Sequence, residues 1–337
     1  MNASQSSTLI KDVFSCTAEN FAETTLKIFN YQYQYNDMYR AYCDILKTIP
    51  DKITAVEKIP FLPIQFFKSK SIKTTEFTPK VIFESSGTTG SVNSKHFVKD
   101  LAVYEKSFLN SFRQFYGNEK ELCIIGLLPS YLERNGSSLV YMVNDLIKKS
   151  DHIASGFYLH EHEKLKEVLL QNEKDLQPTL LIGVTYALLD FAEQNEMQLK
   201  YTTIMETGGM KGRREEMTRK EVHEILKRKL GVATIHSEYG MTELLSQGYS
   251  KGDGIFECPQ WMKILIRRED DPFDITVAEN CESKFCNGAV NIIDLANIYS
   301  CSFIATDDIG KLYKNNKFEI TGRLENSNIR GCGLMIL

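Results

Sequence analysis

The 337-residue sequence has no apolar run near the ~20 residues that a membrane-spanning helix needs. Its start, Met1 to Lys11, is polar and lacks the apolar core of a signal peptide. No block of like charge stands out. Forty basic residues face 44 acidic ones, a net charge of −4, so nothing invites nucleic acid or an anionic membrane surface. Internal repeats and low-complexity linkers are missing as well. The eight cysteines, at 16, 43, 123, 258, 281, 286, 301 and 332, form no CxxC pair. Cys281 and Cys286 come closest, with no second pair at zinc-site spacing. A chain this long needs no covalent staples, so the expectation is reduced thiols in a cytoplasmic protein.

What is present is ordinary for a globular chain: 42% hydrophobic and 25% charged residues. The length allows one large domain or two medium ones. The first 50 residues read as helical, with Phe21, Ile28 and Phe29 near helical spacing and a tyrosine-rich stretch after them. In IPFLPIQFFK, 59 to 68, two prolines forbid a helix, so an apolar extended segment must lie on something. From residue 81 the pattern alternates. VIF (81–83), LCIIGLL (122–128), TLLIG (179–183), YTTIMET (201–207) and VATIH (232–236) read as strands, with helical stretches over 100–116, 137–149 and 213–230. The charged stretch HEHEKLKE, which holds His160 and His162, reads as a solvated helix face. Such alternation implies a largely parallel sheet covered on both faces. After Trp261 short strand patterns dominate, in WMKILIRR, DITV, GAVNIID and KFEIT. The expected organisation is a helical extension over 1–80, an α/β nucleotide-binding core over 81–255, and a β-rich part of the same domain over 256–337.

Open α/β sheets bind ligands in loops at the carboxyl ends of their strands. Four loops there carry chemistry. SSGTTG, Ser85 to Gly90, presents N–H and O–H donors of the kind that hold phosphate, yet matches neither GxxxxGK[ST] nor GxGxxG. ETGGMKGR, 206–213, lets a flat group lie against Gly208 and Gly209. SEYGMTE, 237–243, offers Tyr239 to stack on a base, Thr242 as a hydroxyl donor and Glu243 as a Mg2+ ligand beside phosphates. TDDIG, 306–310, offers Asp308 to accept ribose hydroxyls, and Arg323 of TGR can reach ribose or phosphate oxygens. Each loop also has a plain reading as a polar turn, a helix start or a hairpin turn. GYSKG, 248–252, fits the GxSxG nucleophile pattern around Ser250, but Asp253, Gly254 and Pro259 oppose the helix that this motif needs.

The order SSGTTG, GG, YGMTE, TDDIG, GR resembles the adenylate-forming superfamily over about residues 80 to 330. IPFLPIQFFK, LLPSYLERNGSSLVYMVNDL and ETGGMKGR are similar to the acyl-protein synthetases of bacterial bioluminescence, the LuxE type, over most of the chain. The resemblance implies an α/β fold: the large N-terminal domain of adenylate-forming enzymes, without their usual small C-terminal domain. It also implies ATP and Mg2+ as cofactors and a carboxylic acid, of the fatty-acid class, as substrate. It places the triphosphate on Ser85, Ser86, Gly87, Thr88, Thr89 and Gly90, adenine between Gly208, Gly209 and Tyr239, and ribose on Asp308. Thr242 and Glu243 take phosphate and metal, with Gly240 and Met241 between. Two departures matter. The family loop closes with Pro-Lys-Gly, whereas here Lys95 follows later as a candidate phosphate contact. The sequence also ends at Leu337, soon after Arg323, short of the ~50 residues of a small domain and of the lysine which that domain carries. Cys332, in IRGCGLMIL, is the candidate acyl acceptor, with an acyl-accepting protein or other thiol as final partner. A phenylacetate-type CoA ligase, a non-catalytic nucleotide- or acyl-binding module and a Ser250 hydrolase are the alternatives. For the ATP reading, five separated segments must fold into one cradle.

Overall fold

The computed structural model describes residues 3–86, 92–130, 133–134, 136–208, 215 and 217–324. Three amphipathic helices come first: α1 (Ala3–Phe14), α2 (Phe21–Tyr35) and α3 (Asp37–Ile45). Between α2 and α3, Asn36 caps the next helix by accepting from the Tyr39 amide, and its own amide donates to the Ser300 carbonyl at 2.8 Å. From α2 the buried Gln32 amide reaches the carbonyls of Asn297 and Ile298. These bonds tie the helical start to a turn more than 260 residues away in sequence. The proline-bounded apolar segment does lie on something. Leu62–Pro63, strand β1, pairs in parallel with Ile304 and Ala305, but the segment is not extended throughout, because the short helix α4 (Phe66–Ser69) begins within it, past both prolines. Ile59, Phe61, Leu62, Ile64 and Phe67 are all buried there.

Strands β2 (Val81–Glu84) and β3 (Lys95–Val98) form a separate antiparallel pair. This corrects one expectation. The strand before the Ser/Thr/Gly loop belongs to a hairpin and not to the parallel sheet, and a strand follows the loop. Helix α5 (Leu101–Tyr116) then buries Tyr104, Phe108 and Phe112, as its periodicity implies. The parallel half of the main sheet is built from β4 (Cys123–Leu127), β5 (Gly156–Phe157), β6 (Thr179–Val184), β7 (Thr202–Thr207) and β8 (His236–Tyr239). Helices α6 (Ser138–Ser150), α7 (His162–Lys174), α8 (Thr185–Gln194) and α9 (Arg219–Leu230) connect them. A capping box at Thr218 and Glu221 starts α9, and Gly231 in the left-handed region ends it.

Strand β8 starts later than the apolar run VATIH suggested. Ala233 and Thr234 are exposed, and pairing begins at His236. From β8 the sheet turns antiparallel through β9 (Gly248–Ser250), β10 (Phe256–Glu257), β11 (Met262–Arg267), β12 (Ile275–Thr276), β13 (Phe285–Asp294), β14 (Phe303–Tyr313) and β15 (Phe318–Arg323). All of these join one 13-stranded sheet that runs without a break past residue 255. Among the described residues no separate domain follows β15, and no helix is long and apolar enough to cross a membrane. Cys281 and Cys286 are disulfide-bonded, with Cα atoms 5.4 Å apart, so the expectation of reduced thiols fails for this pair. The cause is local: Cys286 lies at the start of β13, and the turn before that strand brings Cys281 back against it.

Candidate functional site

Two adjoining cavities open where β7 and β8 end. The first is lined by Ser85 and Ser86 from the β2–β3 hairpin, Thr207 and Gly208 after β7, and the run from Glu238 to Glu243. Tyr104, Leu139, Met142 and Gln247 line it as well. The second is lined by Glu206, Gly208, Arg219, Tyr239, Asp308 and Arg323. Gly208, Glu238 and Tyr239 belong to both. The five segments therefore meet, but at two cavities with a common wall and not in one undivided cradle. The wall has a physical cause. The Tyr239 ring packs edge-on to Phe256 and Phe318, and its hydroxyl donates to Asp308 Oδ2 at 2.8 Å.

Asp308 owes its position to strand register. TDDIG is no turn: it lies inside β14, where Asp308 stands opposite Arg323 of β15. The Arg323 Nε lies 3.5 Å from Asp308 Oδ1, and its Nη2 donates to Asp307 Oδ2 at 3.3 Å. Both partners are largely shielded, so this cross-strand cluster is less screened than a surface pair. On the far side, Arg219 of α9 lies over the Phe256 ring and 3.8 Å from the buried Glu206.

The 240–247 loop has no helix of its own, contrary to the plain reading of Thr242 and Glu243 as a helix start. Buried partners elsewhere hold it instead. The carboxylate of Asp294, at the end of β13, accepts from the amides of Leu245 and Ser246, each at 2.9 Å, and from the Ser246 hydroxyl at 2.6 Å. The Asn297 amide donates to the Glu243 carbonyl at 2.8 Å. His96 of β3, fully enclosed, donates from Nδ1 to the Thr242 carbonyl at 2.9 Å. Burial holds its imidazole down at about 4, so it is neutral at physiological pH and the Nδ1–H tautomer is fixed by this bond. Glu243 itself is fully withdrawn from solvent at the cavity wall.

Lys95 does not line either cavity. It stands opposite Glu84 in the hairpin register, with its amine 3.6 Å from that carboxylate. Gly87, Thr88, Thr89, Gly90, Gly209 and Cys332 lie outside the described residues. Ser250 is buried in β9, donates to the Gly252 carbonyl and is followed by a turn and the antiparallel β10, not by a helix. Among the described residues no group of three or more His, Cys, Asp or Glu could hold a metal ion alone. A cation at Glu243 would need phosphate oxygens and water to complete its shell, which is how Mg2+ is commonly bound.

Several residues of the site escaped sequence reasoning. Glu238 stood inside SEYGMTE without being singled out, and its Oε2 accepts from Thr207 Oγ1 at 2.5 Å. Burial pushes its carboxyl up to about 7, with nearby Glu206 adding to the rise. Gln247, His96 and Asp294 gave no local signal, because irregular loops and long-range bonds have no period to read.

The family model for LuxE acyl-protein synthetases matches residues 16–337. No curated protein matches the chain significantly. Among solved structures, ATP-bound MatB from Rhodopseudomonas palustris is similar at 14% identity with a TM-score of 0.51, over 74% of this chain and 50% of that one. This chain thus spans about half of MatB. A 2-hydroxyisobutyryl-CoA ligase in complex with 2-HIB-AMP is similar at 12% identity and a TM-score of 0.63, over 94% of this chain and 70% of that one. At such identities the likeness concerns the fold, which is the α/β fold of adenylate-forming enzymes. With the family model spanning nearly its whole length, the chain belongs to the LuxE acyl-protein synthetase family.

Proposed function

We propose that the protein activates a carboxylic acid with ATP and then passes the acyl group to a thiol. One carboxylate oxygen attacks the α-phosphorus in line, the bond to the bridging oxygen breaks, and pyrophosphate leaves. Acyl-adenylate remains. A thiolate then attacks the acyl carbon and AMP departs with the bonding pair. The observation that carries the reading is the shared wall of Gly208, Glu238 and Tyr239. It joins the cavity that holds Asp308 and Arg323 to the one that holds Ser85, Ser86 and Thr242, so the two reactants would meet at that wall.

In this reading Asp308 accepts the ribose hydroxyls and Arg323 steadies it. Gly208 and Gly209 give adenine a flat floor beside Tyr239. The 85–90 loop and Thr242 bind phosphate, with Gly240 and Met241 shaping the approach, and Lys95 acts through Glu84. Mg2+, held by Glu243 and phosphate oxygens, would supply charge neutralisation. The chain's own part is positioning: held donors that cost no reorganisation when charge develops. Residues 81–255 serve as the nucleotide-binding core, with 1–80 as an extension packed on it and 256–337 as the rest of the same domain. Cys332 is the proposed acyl acceptor.

The test is ATP–pyrophosphate exchange across a panel of acids, with intact mass and hydroxamate trapping with and without CoA. Acid-dependent exchange, and a thioester adduct lost on Cys332→Ser, are expected. ATP binding without exchange for any acid would refute adenylate formation. Exchange with acyl transfer to CoA alone would refute the protein acceptor.

A further inference from the structure

The stretch LLPSYLERNGSSLVYMVNDL, 127–146, carries part of the family resemblance, yet the reaction above uses none of it. One of its residues reaches the first cavity. The half-buried Arg134 lines that cavity together with Ser85, Ser86, Thr242 and Glu243. Among the described residues there it is the sole cation, against three carboxyl groups, those of Glu84, Glu238 and Glu243. A wall so balanced repels a polyanion unless its one cation faces the ligand. The arginines of the second cavity are engaged by carboxylates, Arg219 by Glu206 and Arg323 by Asp307 and Asp308. The Arg134 guanidinium makes no hydrogen bond or ion pair with any described residue, so its donors are left for a ligand. Its backbone, by contrast, is held. The Arg134 amide donates to the Ser130 carbonyl at 3.1 Å, and the Ser130 amide donates to a Glu133 oxygen at 2.7 Å. His160 takes the other Glu133 oxygen at 3.0 Å. The Glu84 amide donates to the Gly136 carbonyl at 2.8 Å. That bond fastens the turn to the end of β2, one residue before Ser85.

We propose that Arg134 binds the β- and γ-phosphates of ATP and neutralises the charge that gathers on pyrophosphate as it leaves. This rests on the adenylate-forming reading and adds a catalytic residue to it. An oxygen of the acid bonds to the α-phosphorus, the bond from that phosphorus to the bridging oxygen breaks, and its electron pair departs with pyrophosphate. Arg134 gives up no proton in this step, because a guanidinium stays charged throughout. Its planar fork donates two parallel bonds to one phosphate and loses less freedom per bond than a lysine. A donor already in place where charge develops costs no reorganisation. The Gly136 tie sets Arg134 with the serines assigned to phosphate, which favours the polyphosphate over the acid's carboxylate as its partner.

The test is titration calorimetry on the full chain with Mg2+ present, using AMP and the α,β-methylene analogue of ATP, for wild type, Arg134→Gln and Arg134→Lys. Acid-dependent ATP–pyrophosphate exchange is the second readout. Affinity for the analogue should fall about 10- to 100-fold in Arg134→Gln and less in Arg134→Lys, which keeps the charge. Affinity for AMP, which lacks those two phosphates, should stay within about threefold, and its retention shows that the variants fold. Turnover in exchange should fall ~100-fold or more in Arg134→Gln, with the KM for the acid nearly unchanged. Equal losses for both nucleotides, or no loss for either, overturn the inference. So does a raised KM for the acid with nucleotide affinity intact, which would assign Arg134 to the carboxylate. Each of these results leaves adenylate formation standing. Exchange absent from wild type with every acid refutes adenylate formation, and the two affinities still decide whether Arg134 holds the polyphosphate.

Discussion

Removing the Asp294 side chain should loosen the site from behind. The Asp294 carboxylate is fully enclosed and accepts from the amides of Leu245, Ser246 and Ala296 and from the Ser246 hydroxyl. In Asp294→Ala, Leu245 keeps Asn297 Oδ1 at 3.1 Å, and the Ser246 hydroxyl keeps Ser107 and Trp261. Among the described residues the amides of Ser246 and Ala296 have no other acceptor. Two orphaned buried donors cost about 4 kcal/mol at ~1–3 kcal/mol each. With about 2.1 cal/mol/K per residue of unfolding entropy, a chain of this length should lose about 6 °C in Tm. Burial pushes this carboxyl up to about 6, above its unfolded value near 3.9. A raised folded-state value means that the group's favourable contribution is fully present below pH ~3.9 and is lost as pH rises through ~6. The gap between wild type and variant should therefore be wider at pH 5 than at pH 7.5. Differential scanning calorimetry at both values, with acid-dependent exchange as the second readout, checks this. A Tm change below about 1 °C with normal exchange would mean that the 244–247 run is held by something else.

Three further outcomes are expected. His96, held down at about 4 by burial, contributes stability that is fully present above its unfolded value near 6.5 and is lost as pH falls toward 4. Between pH 7 and 5 wild type should lose ~2 °C more in Tm than His96→Asn, and equal slopes would remove His96 as the anchor of Thr242. Asp308→Asn should raise the KM for ATP about 10- to 100-fold, since charge-assisted bonds are worth ~1.5–3 kcal/mol, and an unchanged KM would count against ribose binding. Gly240→Ala should raise the KM for the acid at least ~10-fold, because the new methyl meets Glu238 and Gln247; steady-state kinetics with unaltered turnover would contradict that placement.

Much of the frame was legible because it rests on local rules. Period and buried runs mark α5, β6 and the body of α9, although the sequence reading starts that last helix at 213 and the Thr218 cap starts it at Arg219. The rest depends on distant partners. VATIH attracted a strand because it is apolar, yet the paired strand is HSEY, polar because it lies in the site. Asp308 looked like a hairpin turn because Asp and Gly favour turns, while its cross-strand pairing with Arg323 spans residues that no local pattern connects. KHFV, with two polar residues at its start, did not announce itself as the partner of VIFE. Of the proposed contacts, the loops at the ends of β7 and β8 were visible from strand–glycine order. Gln247, His96 and Asp294 were not, since their significance comes from partners 48 or more residues away or, for the Gln247 side-chain oxygen, from having none among the described residues.

The partition formed by Gly208, Glu238 and Tyr239 ties the two ligands together thermodynamically. If filling one side shifts the tyrosine or the glutamate, the other side's affinity changes by some factor, and linkage makes that factor identical in both directions. Nucleotide titrated against a saturating acid, and acid against saturating non-hydrolysable nucleotide, must then give equal ratios of dissociation constants. The protein would sense the arrival of either reactant through the same few atoms that separate them.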